Sequence, residues 1–201
     1  MSMSPGAVPL ALVAAACVGL SVDSPRQKSG AARAAGGASR LVAAAERPSQ
    51  VPGIYFAPTP QPVVEAMLKL ARVAADDVVY DLGSGDGRIV VIAAQRYGAR
   101  GVGVELRPDL VEISRQVARE GGVADQVRFI EGDLFTTNIS EATVVTMWLS
   151  ETINTRLEPK LKRELRPGTR IVSRQFRIGN WTPEQIVRAD NEELFLWTIS
   201  R

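Results

Sequence analysis

Short β-branched runs alternate with longer stretches of helical periodicity along most of this chain, and turn residues sit at the joins. The first helical stretch opens at Pro62, where Val63, Val64, Met67, Leu68 and Ala71 recur on one face. Asp76 to Leu82 then reads as a strand and Arg88 to Tyr97 as a helix, followed by a short strand Gly101 to Glu105. A second such unit has a helix over Asp109 to Arg119, closed by Gly121-Gly122, and a strand over Val127 to Glu131. Ala142 to Leu149 is apolar and β-branched enough for a central strand. The pattern continues with a helix over Thr155 to Leu165, stopped by Pro167-Gly168, and a strand over Thr169 to Phe176. Glu184 to Ala189 and Glu193 to Ser200 flank Asp190-Asn191-Glu192 as a closing antiparallel pair. Such alternation predicts an α/β body with a mainly parallel sheet and helices on both of its faces.

The first 50 residues do not share that pattern. Residues 1–22 carry no charge, and the apolar run from Ala7 to Val22, interrupted by Pro9, Gly19 and Ser21, is shorter than a bilayer-spanning helix needs. Three readings stay open for it: a secretory or lipoprotein signal, a membrane-proximal anchor, or a start codon placed too early. Residues 23–50, rich in Ala, Gly, Ser and Arg, read as a flexible linker, and the body occupies 51–201. Residues 1–50 hold five Arg and Lys against Asp23 and Glu46, whereas the rest of the 201-residue chain holds 19 basic and 20 acidic residues. A near-neutral body argues against nucleic acid as the main partner.

Two absences narrow the chemistry. There is no His, and Cys17, in the leader, is the single Cys. Ser-His-Asp and Cys-His catalysis, the usual zinc sites and internal disulfides are therefore ruled out, and no metal site is expected. A cofactor that carries its own reactivity is the economical alternative.

Val78-Val79-Tyr80-Asp81-Leu82-Gly83-Ser84-Gly85-Asp86-Gly87-Arg88 joins a buried strand to a helix through a glycine-rich loop. Open α/β sheets bind ligands at such strand ends. Glu105 closes the next strand with Leu106 beside it, placed to accept from two ribose hydroxyls. Asp133 follows the third strand, where it can accept from an adenine amine while Leu134 covers the ring. Dinucleotide enzymes use Gly-x-Gly-x-x-Gly to face a pyrophosphate. The spacing here is Gly-x-Gly-x-Gly, and Asp81 and Asp86 bring negative charge to the loop. That suits a ligand with a cationic centre. S-adenosylmethionine fits, with Asp81 holding its amine and the loop N–H groups its carboxylate.

These residues resemble the class I S-adenosylmethionine-dependent methyltransferases. More narrowly, Pro58-Thr59-Pro60, the Asp81-to-Arg88 loop, Leu165-Arg-Pro-Gly-Thr-Arg170 and Trp181-x-Pro183 resemble the subgroup that methylates lysines of the ATP synthase c ring protein and the adenine nucleotide translocase. The resemblance implies a Rossmann-like, doubly wound sheet of about seven strands, mostly parallel, with an antiparallel C-terminal strand. It places Asp81, Gly83, Ser84, Gly85 and Gly87 around the methionine part, Glu105 and Leu106 at the ribose, and Asp133 and Leu134 at adenine. Pro58 and Thr59 would form a lid. No Asn/Asp-Pro-Pro-Tyr follows the fourth strand; Trp148-Leu149-Ser150-Glu151-Thr152-Ile153-Asn154 stands there instead. From the residue types, Glu151 is the expected proton acceptor with Asn154 and Ser150 its polar partners, and Trp148 and Trp181 are channel walls. The alternative for Ser150 and Glu151 is that they simply start the next helix as its cap and first-turn acid, and for the two Trp that they belong to the core.

The expected activity is N-methylation of a protein lysine by a cytosol-facing enzyme, with membrane proximity through residues 7–22. An exported or organellar protein is the alternative localisation. A small-molecule methyltransferase on the same fold and a non-catalytic S-adenosylmethionine-binding protein are the alternative functions, and the sequence leaves the oligomeric state open.

Overall fold

The computed structural model describes residues 56–200; residues 7–22 and the linker reading of 23–50 lie outside the described residues. Helix α1 (Gln61–Leu70) begins at a proline in its first turn and buries Val63, Val64, Met67 and Leu68. Strand β1 (Val78–Leu82) follows, then α2 (Arg88–Tyr97), β2 (Arg100–Glu105), α3 (Pro108–Glu120) and β3 (Val127–Glu131). The chain continues through β4 (Val144–Met147), α4 (Glu151–Glu164), β5 (Arg170–Arg174), β6 (Gln185–Ala189) and β7 (Glu192–Thr198). These seven strands form one sheet in the order β3-β2-β1-β4-β5-β7-β6. All pairings from β3 through β5 are parallel, while β7 runs against both of its neighbours.

The period-two alternation of the strands divides the core into two layers. Val79, Val144 and Val172 pack with side chains of α1, α2 and α3 on one face. Tyr80, Leu82, Val145, Met147 and Ile171 pack with Leu157 and Leu161 of α4 on the other. Glycines of β2 make the first layer thin. A Cβ on Gly101 would lie 2.7 Å from the Val90 side chain, so α2 can sit close to the sheet.

Most element ends lie within two residues of the sequence pattern, and two differences bear on the site. Strand β4 stops at Met147, leaving Trp148 and Leu149 outside the ladder. Helix α4 starts four residues earlier than its apolar spacing suggests, because the hydroxyl of Ser150 accepts from Ile153 N and caps it. Pro159, inside this helix, does not end it. The closing hairpin turns on Asp190 and Asn191, both at positive φ (51° and 64°), as a two-residue turn between Ala189 and Glu192 requires.

Candidate functional site

A cavity of about 710 Å³ opens at the carboxyl ends of the parallel strands, within the usual range for small-molecule sites. It extends from the β3 end, with Asp133 and Leu134, past Glu105 and Asp81, to Trp148 after β4 and Gln175 after β5. Segment 56–60 contributes Phe56, Pro58 and Thr59 to its wall.

At the floor lies Asp81, 3% exposed, whose carboxylate accepts from the Thr146 hydroxyl at 2.8 Å. Strand register causes this contact, since Asp81 and Thr146 are partners on β1 and β4. Burial pushes the Asp81 carboxyl up to about 7, and the negative charges of Asp86 and Glu105 add to the rise against the Thr146 hydrogen bond. Among the described residues no cation pairs with it. The expectation of two free negative charges beside the loop therefore needs correction. Asp86 is 1% exposed but carries a forked ion pair from Arg88, with Nη2 to Oδ2 at 2.6 Å and Nε to Oδ1 at 3.0 Å. Of the two, only Asp81 offers uncompensated charge to a ligand.

The glycine loop also differs from expectation. Gly83 N and Ser84 N both donate to Val104 O, at 2.9 and 3.0 Å, which ties the loop to the end of β2. Gly85 N donates to Glu105 Oε2 at 2.9 Å, and Gly87 N to Ser84 O at 2.9 Å. These N–H groups satisfy the protein's own acceptors and are not left open for a ligand carboxylate. The hydroxyl of Ser84 is buried without a partner and lies beside Phe129, 2.6 Å from where a Cβ on Gly103 would stand.

Gly83, Ser84 and Gly85 line the cavity, whereas Gly87 does not. Gly87 is the left-handed cap of α2 (φ 76°), and a Cβ there would meet Phe129 at 2.5 Å and Ser114 at 2.7 Å. Its requirement is close packing of α2 and α3 over β3. Glu105 accepts from Gly85 N and, at 3.0 Å, from Arg107 N; it lines the cavity with the half-exposed Leu106. Asp133 lines the β3 end with Leu134 and accepts from Phe135 N at 2.8 Å, a cap of its own turn.

Thr59 is held by two buried arginines. Arg88 Nη1 donates to the Thr59 carbonyl at 3.0 Å and Arg174 Nη1 to its hydroxyl at 3.1 Å. The acids Asp86 and Glu192 neutralise these arginines, so segment 56–60 is fastened to β5 and α2 without leaving a buried charge unpaired.

The residues expected to handle the acceptor separate. Ser150 and Trp148 line the cavity. Glu151 is exposed in the first turn of α4 and is not among the lining residues. Asn154 is fully buried, donating from Nδ2 to Ser173 Oγ at 3.1 Å and to Phe176 O at 3.1 Å; it braces the turn after β5. Trp181 packs on Trp197, with ring centroids 6.1 Å apart, on the α4 side of the sheet. Gln175, Phe176, Ile153 and Arg156 line the cavity without having been singled out in the sequence. None of the four carries a motif, and only the β4-β5 neighbourhood brings them together.

The donor set fits S-adenosylmethionine: a buried lone carboxylate for a cationic group, and an acidic side chain at each of the next two strand ends. Comparison with known proteins agrees. Residues 81–185 match the model of the ANTKMT methyltransferase domain. A protein-lysine N-methyltransferase of Saccharolobus islandicus is 41% identical over 156 residues, 75% of this chain and 97% of that protein. The adenine nucleotide translocase lysine N-methyltransferase of Mus musculus is 35% identical over 137 residues, 68% of this chain but only 59% of its own length. Among solved structures, an RNA methyltransferase from Salinibacter ruber in complex with S-adenosyl-L-homocysteine aligns with a TM-score of 0.70 and 54% identity. That alignment covers 71% of this chain and 93% of that one.

Proposed function

The chain belongs to the ANTKMT methyltransferase family, and from that premise we propose that it methylates the side-chain amine of a protein lysine, using S-adenosylmethionine. The observation that carries the cofactor assignment is the buried, unpaired Asp81 at the floor of a strand-end cavity. The cofactor supplies an activated methyl group, so the protein needs no nucleophile of its own, in keeping with the absence of His and of body Cys. Its task is to orient the acceptor and exclude water. Segment 56–60, fastened by Arg88 and Arg174, acts as the lid over the glycine loop. Asp81, Gly83, Ser84 and Gly85 hold the methionine part, Glu105 and Leu106 the ribose, and Asp133 and Leu134 the adenine.

The strand order sets the acceptor end. Asp133 and Glu105 follow β3 and β2, so the acceptor enters beyond β1, at the ends of β4 and β5. Trp148, Leu149, Ile153 and Phe176 make that end largely apolar. An apolar channel lowers the pKa of an entering ammonium and so favours the neutral amine that can attack. Ser150 belongs to this rim. Glu151 and Asn154 shape it through the start of α4 and the turn after β5, without touching the acceptor.

Protein lysine as acceptor rests on the Saccharolobus islandicus relative, which is aligned over almost its whole length. RNA is the competing acceptor, favoured by the description of the Salinibacter ruber structure. The near balance of 19 basic and 20 acidic residues in 51–201 speaks against RNA. The test is incubation of the full chain with methyl-labelled S-adenosylmethionine and cell extract, then separate nuclease and acid-hydrolysis arms. Label recovered as methyllysine is the expected result. Label released by nuclease, or confined to small molecules, would overturn the lysine assignment.

A further inference from the structure

Successive residues of a strand point to opposite faces, so Arg174, at the end of β5, and Gln175 would ordinarily diverge. They do not. Gln175 adopts a left-handed backbone (φ 64°), which breaks the alternation, and both side chains reach Trp148. The Arg174 guanidinium stacks on the indole 3.6 Å from the ring centroid, and Gln175 Oε1 accepts from Trp148 Nε1 at 2.9 Å. Trp148 and Gln175 line the cavity; Arg174 does not, so it holds the ring from within the protein. A single side chain is thus fixed by face and by edge at the acceptor end of the site.

The left-handed backbone is disfavoured for Gln, and a turn alone would be better served by Gly or Asn. Among the described residues, the other non-glycine positions at positive φ are Arg72, after α1, and the hairpin pair Asp190 and Asn191. Gln175 is the one of the four that lines the cavity. A strained residue that spends its side chain on one contact points to that contact as the reason for the strain.

We propose that Gln175 is a positioning residue that sets the acceptor wall: it holds Trp148 against Arg174 so that the indole guides the incoming amine into line with the transferable methyl group. The proposal rests on the lysine-methylation reading for the identity of the amine, while the fixing of Trp148 does not. Gln175→Gly keeps the turn, relieves the backbone and deletes the contact. Gln175→Glu keeps an acceptor oxygen for the indole N–H. Trp148→Phe keeps an aromatic wall but removes the donor.

All variants are made in the full chain. They are compared by melting temperature, by calorimetric affinity for S-adenosylhomocysteine, and by methyl transfer from labelled S-adenosylmethionine to graded amounts of dialysed extract protein. The expected result for Gln175→Gly is an unchanged or higher melting temperature, unchanged S-adenosylhomocysteine affinity and a loss of transfer at limiting acceptor of about tenfold or more. Gln175→Glu restores most of that transfer, and the Gln175→Gly, Trp148→Phe double variant loses no more than the worse single one. The emission of Trp148, obtained as the difference between parent and Trp148→Phe, moves to longer wavelength and becomes more accessible to acrylamide in Gln175→Gly.

Parent-like transfer by Gln175→Gly would overturn the proposal. So would a parallel fall in stability and S-adenosylhomocysteine affinity, which marks a merely structural turn, or losses that multiply in the double variant. If the parent itself labels no protein lysine, the lysine reading fails; unchanged Trp148 emission in Gln175→Gly is what separately sinks the fixing of the indole.

Discussion

At the scale of single residues, the decisive feature is a carboxylate that the fold keeps without a cation. Burial raises the Asp81 pKa to about 7 against an ordinary value of 3.8. A raised acidic pKa gives stability that is complete below the unfolded value and is lost as pH climbs through the folded one. The ligand-free protein should therefore lose stability between about pH 4 and pH 7, by on the order of 4 kcal/mol from this group. Asp81→Asn should be free of that loss, so its advantage in denaturant unfolding over the parent grows across this interval. A cationic ligand needs the ionised form. Affinity for S-adenosylmethionine should weaken by up to about tenfold per pH unit below about pH 7, and the slope should vanish in Asp81→Asn, as calorimetry at pH 5.5, 6.5 and 7.5 would show. Glu151 makes the opposite case. Exposed and away from the cavity wall, it should tolerate replacement by Gln with the pH profile of methyl transfer unchanged.

At the scale of elements, two joints carry the site. Gly87 caps α2 in a left-handed conformation against Phe129 and Ser114. Gly87→Ala should cost roughly 1–2 kcal/mol in the backbone and about 1–3 kcal/mol more as Phe129 is displaced, read as a lowered denaturation midpoint. The second joint fastens the loop after β3. Lys160 of α4, 5% exposed, donates to Thr137 O at 2.7 Å and pairs with Glu164 at 2.6 Å. Thr137 in turn donates to Asp133 O through its backbone N–H and its hydroxyl, each at 2.9 Å. Lys160→Met removes the donor to Thr137 O, while Glu164 keeps its pair with Arg163 at 3.2 Å. It should destabilise by about 1–3 kcal/mol, and it should weaken S-adenosylhomocysteine binding. Cofactor affinity separates loop disorder from simple loss of stability.

At the scale of the molecule, two core layers enclose the sheet, and among the described residues they draw on every element from α1 to β7 except the exposed edge strand β6, whose Ala189 only packs against them. A chain beginning at residue 51 should accordingly unfold in one cooperative transition. S-adenosylhomocysteine at 100 times its dissociation constant should stabilise that chain by about 2.7 kcal/mol. The site is spread over the ends of five adjacent parallel strands, and ligand binding should therefore stabilise the sheet as a unit.

Much of this was legible in the residues themselves. Local physics determines the elements: β-branched runs bounded by glycines, a proline opening α1, and an Asp-Gly loop between β1 and α2 depend on neighbours along the chain. The cavity lining from β1 to β3 follows from them, because Asp81, Glu105 and Asp133 each lie at or just past the end of a strand, and strand ends converge in a parallel sheet. What the tertiary structure decided is where one element meets another. Val104 and Glu105 consume the N–H groups of the glycine loop, and Asn154 spends its amide on the turn after β5. Gln175 meets Trp148 across 27 positions of sequence through a backbone angle that no periodicity encodes. The Arg88–Asp86 pair and the Ser150 cap are local contacts, within reach of the chain itself. The long-range partners are brought near only by the packed sheet, and those contacts are set by distance in space rather than by spacing along the chain.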